Sequence, residues 1–276
     1  MKKGSLITLF LFYILVFDAL GQGSLLVTEK RVVFEGRQKK ALINLVNVGN
    51  EATTYAVSFT EKRMNEDGSR TTLVEADSGQ MFASPFLRIY PRTITLAPGE
   101  PQVVMLQFRR TADMHAGEYR SHLWFKQIEN QTALGTDNPK TESNQLSFNI
   151  TALVGMTIPI IIRTGEIELS VSLDSLKLEF SQDAGYYLTF MIRRLGNISV
   201  YGNLTAEYIP TRGKPYQLGA KNGTAVYTSI EKRHVSMKLN ITPGINLKEG
   251  KIKLSYVSRD DAKKKTVFAE KELILR

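Results

Sequence analysis

The sequence predicts an all-β protein built as two β-sandwich domains, and three observations carry that prediction. Short runs rich in Val, Ile, Thr, Tyr and Phe recur along the chain, separated by turn signals such as Gly49-Asn50 and Pro98-Gly99. No window between them shows the 3.6-residue apolar period of an amphipathic helix. At 276 residues the chain is long enough to bury two cores of ordinary domain size.

Taken in order, residues 42–48 read as a strand that stops at Gly49-Asn50, and residues 54–59 alternate as a second. Residues 64–79, with Glu66-Asp67-Gly68, read as a hairpin tip and loop. Residues 94–96 lead into the turn Ala97-Pro98-Gly99-Glu100, and residues 102–109 form the strand beyond it. Residues 117–125 follow and carry the only tryptophan, Trp124. Residues 127–144 are polar, with Gly135, Asn138 and Pro139, and read as a long loop.

The most informative stretch is residues 145–163. Its first half alternates: Leu146, Phe148, Ile150, Ala152 and Val154 share one face, Ser147, Asn149 and Thr151 the other. Its second half, residues 156–162, is apolar nearly throughout. At ~3.3 Å per residue an unbroken strand here would run ~60 Å. Gly155 and Pro159 suggest a bend, and Pro159, which cannot donate to a ladder, argues for an edge at that point. Two placements of the apolar row stay open: against its own domain's core, or exposed for a partner. Arg163-Thr164-Gly165 reads as a linker. A second set of strands follows at residues 176–180, 186–193, 202–208, 226–230, 235–241, 251–257 and 266–275.

Composition narrows the function classes. The chain has no cysteine, so disulfides, thiolate metal sites and a cysteine nucleophile are excluded. Three histidines, His115, His122 and His234, are too few for a histidine-rich metal cage. Lys2 and Lys3, an apolar run over residues 6–17 and Ala19-Leu20-Gly21 have the three parts of a cleaved export leader, residues 1–21. The apolar run is shorter than the ~20 residues a membrane-spanning helix needs. Formal charge is +9, yet an exported chain rarely meets nucleic acid, so nucleic acid is not expected as a partner. No Gly-x-Ser-x-Gly, His-Glu-x-x-His, phosphate loop or dinucleotide fingerprint occurs; no enzyme, cofactor, metal or small-molecule substrate is expected. His122 beside Trp124 reads as structural, and residues 231–234, with His234, read as a hairpin tip.

Several segments are similar in sequence to one family. Arg31-Val32-Val33-Phe34-Glu35-Gly36, Leu45-Val46-Asn47-Val48-Gly49, the run from Pro91-Arg92-Thr93-Ile94 through Pro98-Gly99-Glu100 to Val103-Val104-Met105-Leu106, Gly117-Glu118-Tyr119-Arg120, and Ile158-Pro159-Ile160-Ile161-Ile162-Arg163 occur in that order. Together they resemble the periplasmic pilus and fimbrial assembly chaperones of the chaperone–usher pathway. The C-terminal stretch resembles them only in length and strand count.

The resemblance implies two immunoglobulin-like sandwiches, residues 22–163 and 164–276, set at an angle with a cleft between them. It implies a periplasmic, non-enzymatic chaperone that lends a strand, about residues 145–156, to a pilus subunit. The row Leu146, Phe148, Ile150, Ala152 and Val154 would then fill the subunit's groove. The partners implied are pilus or fimbrial subunits and an outer-membrane usher. The family's first carboxylate-anchoring residue maps onto Arg31. Its second, a lysine, maps onto Pro159, which leaves neighbouring Thr157 as a single uncharged donor. Arg163 matches the family's inter-domain arginine, with Glu118 and Asp260 as its expected carboxylates. Position 120 is Arg120 here where many relatives carry an acid, so the network must differ. The alternative reading is a secreted or surface β-sandwich protein with a structural or adhesive role.

Overall fold

The computed structural model describes residues 25–75, 77, 80–128, 155–183, 185–242, 245–259 and 265–275. The expected leader, the row from Leu146 to Val154 and Asp260 lie outside the described residues. The described residues form β-strands with one 3₁₀ turn at Ser84–Phe86. No helix among them is long and apolar enough to cross a membrane.

The first sandwich stacks two sheets. One runs β1-β3-β8-β6, from β1 (Leu25–Val27), β3 (Lys40–Asn47), β8 (Pro101–Phe108) and β6 (Leu87–Tyr90). The other runs β2-β10-β9-β4-β5, from β2 (Val32–Phe34), β10 (Gly155–Thr164), β9 (Gly117–Ile128), β4 (Thr53–Met64) and β5 (Arg70–Leu73), with β7 (Thr93–Leu96) added on β4. Alternation supplies the core between them: Ile43, Leu45, Val104 and Leu106 from one sheet face Tyr55, Val57, Leu123, Phe125 and Ile160 from the other.

One buried amide fastens the turn signals together. The Asn47 side chain donates to Glu51 O (2.7 Å) and Leu96 O (2.9 Å) and accepts from Gly49 N (2.9 Å). The Asn47 carbonyl accepts from Gly99 N at 2.7 Å, and Gly99 adopts φ +74, a conformation that favours glycine.

The second sandwich stacks β11-β12-β15 on β14-β13-β16-β17. These are β11 (Leu169–Ser181), β12 (Gly185–Gly196), β15 (Lys232–Lys238), β14 (Tyr216–Val226), β13 (Val200–Ile209), β16 (Lys251–Ser258) and β17 (Val267–Ile274). Its separate core includes Leu188, Phe190, Ile192, Leu204, Leu254 and Tyr256.

Three local expectations change, and one strand is added. The strand expected at 226–230 lies before that segment: β14 ends at Val226, and Ile230 N closes a turn on Tyr227 O. Its polar, glycine-bearing sequence and two register shifts against β13 hide the alternation that marks a strand. His234 sits within β15, paired with Met191, not at a hairpin tip. Arg163 and Thr164 belong to β10 rather than to a linker, which turns at Gly165. The short strand β6 had no periodic signal of its own; it is placed by its pairing with β8.

β10 explains its own composition. Ile158, Ile160 and Ile162 point into the first core, while Ile161, on the opposite face, is equally buried. A strand buried on both faces reads as a continuous apolar run. Pro159 pairs with His122 of β9 on one side; on the other, pairing with β2 begins only at Ile160. The proline therefore marks the last position before β10 stops being an edge.

Candidate functional site: a cationic cleft beside an open strand edge

The outer face of the β9/β10 sheet meets the second sandwich through a buried ionic hub. Glu118 is fully buried and accepts from Arg120 (2.6 Å), Arg163 Nε (3.2 Å), Ser199 N (3.1 Å) and Ser199 Oγ (2.8 Å). Arg120 also donates to Ser199 Oγ at 2.7 Å and lies 3.8 Å over the Tyr227 ring. Arg163 reaches Glu35 at 2.8 Å and the Ser199 carbonyl at 3.2 Å. Burial alone would raise the Glu118 carboxyl; Arg120, Arg163 and the Ser199 hydroxyl override it and hold it down to about 2. The sequence-based pairing of Arg163 with Glu118 is present, and Arg120 joins the same carboxylate instead of opposing it.

Several partners in this hub had no sequence signal. Ser199 follows one turn of the second sandwich and Tyr227 opens another, and both turns are held by Arg194. This buried guanidinium donates to the carbonyls of Gly196 (2.7 Å), Ile198 (3.2 Å), Ile230 (3.2 Å) and Thr228 (3.4 Å). An apolar contact of Met64 with Ala225 and Tyr227 extends the junction. The β4–β5 hairpin tip reaches further, with His234 N donating to Glu66 O at 2.7 Å.

His122 is buried at the same junction, its Nε2 3.3 Å from the Tyr227 hydroxyl and its Nδ1 without a partner. Burial first, then the cations Arg120, Lys62 and Arg70, push its pKa down to about 3. The unfolded chain takes up this proton near 6.5, so folding stability must fall as pH drops from about 6.5 toward 3. The slope limit is about 1.4 kcal/mol per pH unit. Urea unfolding at about pH 8 and about pH 5 is expected to show this loss, about one and a half units either side of the imidazole's reference. His122→Gln, which keeps a hydrogen-bonding side chain and removes the titration, should flatten the difference. An unchanged slope in that variant would place the proton elsewhere.

Arg31 lies just before β2 and lines a cleft of about 580 Å³ with Glu35 and Arg163 from the first sandwich and Tyr201, Arg259 and Phe268 from the second. Its guanidinium stands 4.5 Å over the Tyr201 ring. No carboxylate among the described residues pairs with it, and its buried Nε has no partner. Burial, followed by the repulsion of Arg120 and Arg163, pushes it down to about 10. A cleft that crowds cations this way attracts an anion.

Thr157 does not line that cleft. It lies on the exposed-edge part of β10, where its hydroxyl accepts from Lys62 Nζ at 3.3 Å. Lys62 comes from β4, across β9, and its ammonium is shifted down by burial and by Arg70. A cation therefore does stand beside position 157, delivered by another strand, which no local spacing could reveal. Met156, the first described apolar residue of the expected donor row's parity, is 37% exposed, whereas Ile158 is buried.

No family model matches this chain, and no curated protein matches it. Chaperones, one of them a class 5 fimbriae chaperone, recur among solved structures with a similar fold. A YadV chaperone crystal structure is 11% identical, covers 91% of this chain and 99% of its own, and gives a TM-score of 0.48. The CsuC–CsuE chaperone–tip adhesion subunit pre-assembly complex from the archaic chaperone–usher Csu pili of Acinetobacter baumannii is 12% identical over 90% of this chain and 97% of its own, with a TM-score of 0.47. A protein of unknown function from Porphyromonas gingivalis W83 is 14% identical over 90% and 99%, with a TM-score of 0.34.

Proposed function

We propose that this chain is a non-enzymatic periplasmic chaperone of pilus or fimbrial subunits. It binds a subunit by lending a strand, about residues 145–156, and delivers it for assembly at an outer-membrane usher. The units that serve this role are residues 22–163 and 164–276, after removal of residues 1–21.

The observation that carries the reading is an edge of β10 that no other described strand covers. From Gly155 to Pro159 the strand is paired on the β9 side, and its pairing with β2 begins only at Ile160. An unpaired edge offers backbone donors and acceptors to an incoming strand, and alternate side chains then set specificity. Leu146, Phe148, Ile150, Ala152 and Val154 share the even parity of Ile158, Ile160 and Ile162, the row that fills this chain's own core. A strand that continues this row past its own sandwich has apolar side chains to fill another one. Arg31, the cleft cation without a carboxylate partner, suits a client's C-terminal carboxylate, in a bidentate pair. Thr157 and Lys62 mark a second polar position on the edge itself.

The test is capture from periplasmic extract with tagged wild type beside Ile150→Arg, read by mass spectrometry. A small secreted β-protein held in near-equal amount by wild type and lost with the variant is the expected result. Identical capture by both, with the variant folded, would remove strand donation and leave a structural or adhesive role.

A further inference from the structure

Outward positions of a sandwich sheet are ordinarily polar; on the second sandwich single exposed apolar residues such as Ile274 stand beside charged pairs. On its β16/β17 face Lys251 pairs with Glu272 and Lys253 with Glu270, each at 2.9 Å. The β1-β3-β8-β6 sheet departs from the polar pattern. Leu26, Leu42, Val46, Val103, Met105 and Tyr90 all stand on its outer face, Leu42 at 59% and Tyr90 at 71% exposure. No outward position of these four strands carries a carboxylate.

Register arranges these side chains in rows. Leu42 pairs with Met105 and Met105 with Tyr90, so the three form one apolar row across the sheet. The adjacent row is Lys40, Gln107 and Arg88, by the same pairings. Two residues along a strand separate the rows by ~7 Å. Neither Lys40 nor Arg88 has an acidic partner among the described residues; Arg88 donates only to the carbonyls of Leu87 and Pro85. Exposed Arg109, in the parity of Gln107, continues the cationic side beyond Phe108. The carboxylate of Glu29, beside outward Asn44, is already occupied by Asn44 N (2.9 Å), Asn44 Nδ2 (2.8 Å) and the Thr28 hydroxyl (2.8 Å).

We propose that this face is a docking surface for an anionic phospholipid membrane. A protein interface places an apolar centre inside a polar rim. Here the apolar row is flanked by a cationic row and no outward strand position carries a carboxylate, a charge that complements an anionic headgroup layer. Laid on the membrane, Leu42, Met105 and the Tyr90 ring enter the headgroup boundary, the level that amphipathic aromatics favour. Lys40 and Arg88 then meet lipid phosphates, and their stems cover apolar surface on the way. The inference goes beyond the chaperone reading and does not depend on it.

The absence of cysteine makes a clean test. Gln107→Cys, between the two cations, and Lys177→Cys, on exposed β11 of the second sandwich, each carry one environment-sensitive dye in the full chain. Vesicles of phosphatidylglycerol and phosphatidylethanolamine are expected to blue-shift the dye at 107 and not at 177, while phosphatidylcholine vesicles shift neither. Leu42→Glu with Tyr90→Glu, two surface changes whose fold is checked by circular dichroism, should raise the lipid concentration for half-response ~tenfold or more. High salt should weaken binding as well. No shift at 107, an equal shift at both positions, or an unchanged response in the double variant would overturn the proposal. A response to periplasmic extract but not to vesicles would do so too, by giving the face to a protein partner.

Discussion

Glu118→Ala is expected to cost ~3–5 kcal/mol of folding stability, because it leaves Arg120 and Arg163 facing one another around an empty, desolvated position. The carboxylate joins β9, β10 and the turn at Ser199, so its loss should also loosen the two sandwiches from each other. Denaturant unfolding reads the first effect and small-angle X-ray scattering reads the second, as an increased radius of gyration. A variant as stable as wild type with the same scattering would show that the hub is dispensable. Adding Arg120→Met to Glu118→Ala should restore part of the loss, since it removes one of the uncompensated cations; contacting residues are where such non-additivity is expected. The pH sign is fixed by the same shift. Because the folded carboxyl is held down to about 2, its contribution is fully present above about 4.5 and disappears only as pH falls toward 2.

Arg31→Met is expected to move stability and client binding in different directions. The folded chain holds this cation less well than the unfolded chain does, since burial, Arg120 and Arg163 all disfavour its charge. Methionine keeps a long apolar stem against Tyr201 and relieves the repulsion. The melting temperature should therefore stay level or rise. Client binding should weaken, because a charge-assisted bond to a carboxylate contributes ~1.5–3 kcal/mol, or ~10–100-fold in affinity. Arg31→Lys should recover part of that affinity, as it restores the charge without the planar fork. Isothermal titration with a client peptide ending in a free carboxylate, against its amidated form, separates the two effects. Lost stability with unchanged preference for the free carboxylate would make Arg31 a packing residue.

Much of the fold could be read from local signals. Alternation at residues 42–48 and 54–59 and the turns at Gly49 and Gly99 correspond to β3, β4 and the buried Asn47 clasp. The reading failed where local signal and tertiary role diverge. β14 is polar and glycine-broken, and its register shifts against β13, so no alternation marks it and its apolar tail at Val226 carries the local strand signal. Pro159 as an edge marker was legible, since a missing donor is a property of the residue alone. Its neighbour's partner was not: Lys62 reaches Thr157 from 95 residues away in sequence.

The same division holds across the molecule. The all-β class, the two strand sets and the basic balance without cysteine follow from the sequence, because periodicity and turn chemistry are written within short windows, while the candidacy of Arg31, Glu118 and Arg163 is what the family resemblance implies. Tertiary structure alone decided which charges neutralise one another and which are left over. Glu118 takes both Arg120 and Arg163, so Arg31 keeps its charge without a carboxylate partner. It also decided that Leu42, Met105 and Tyr90 form one outward row, since strand register, not spacing along the chain, brings residues from three strands side by side.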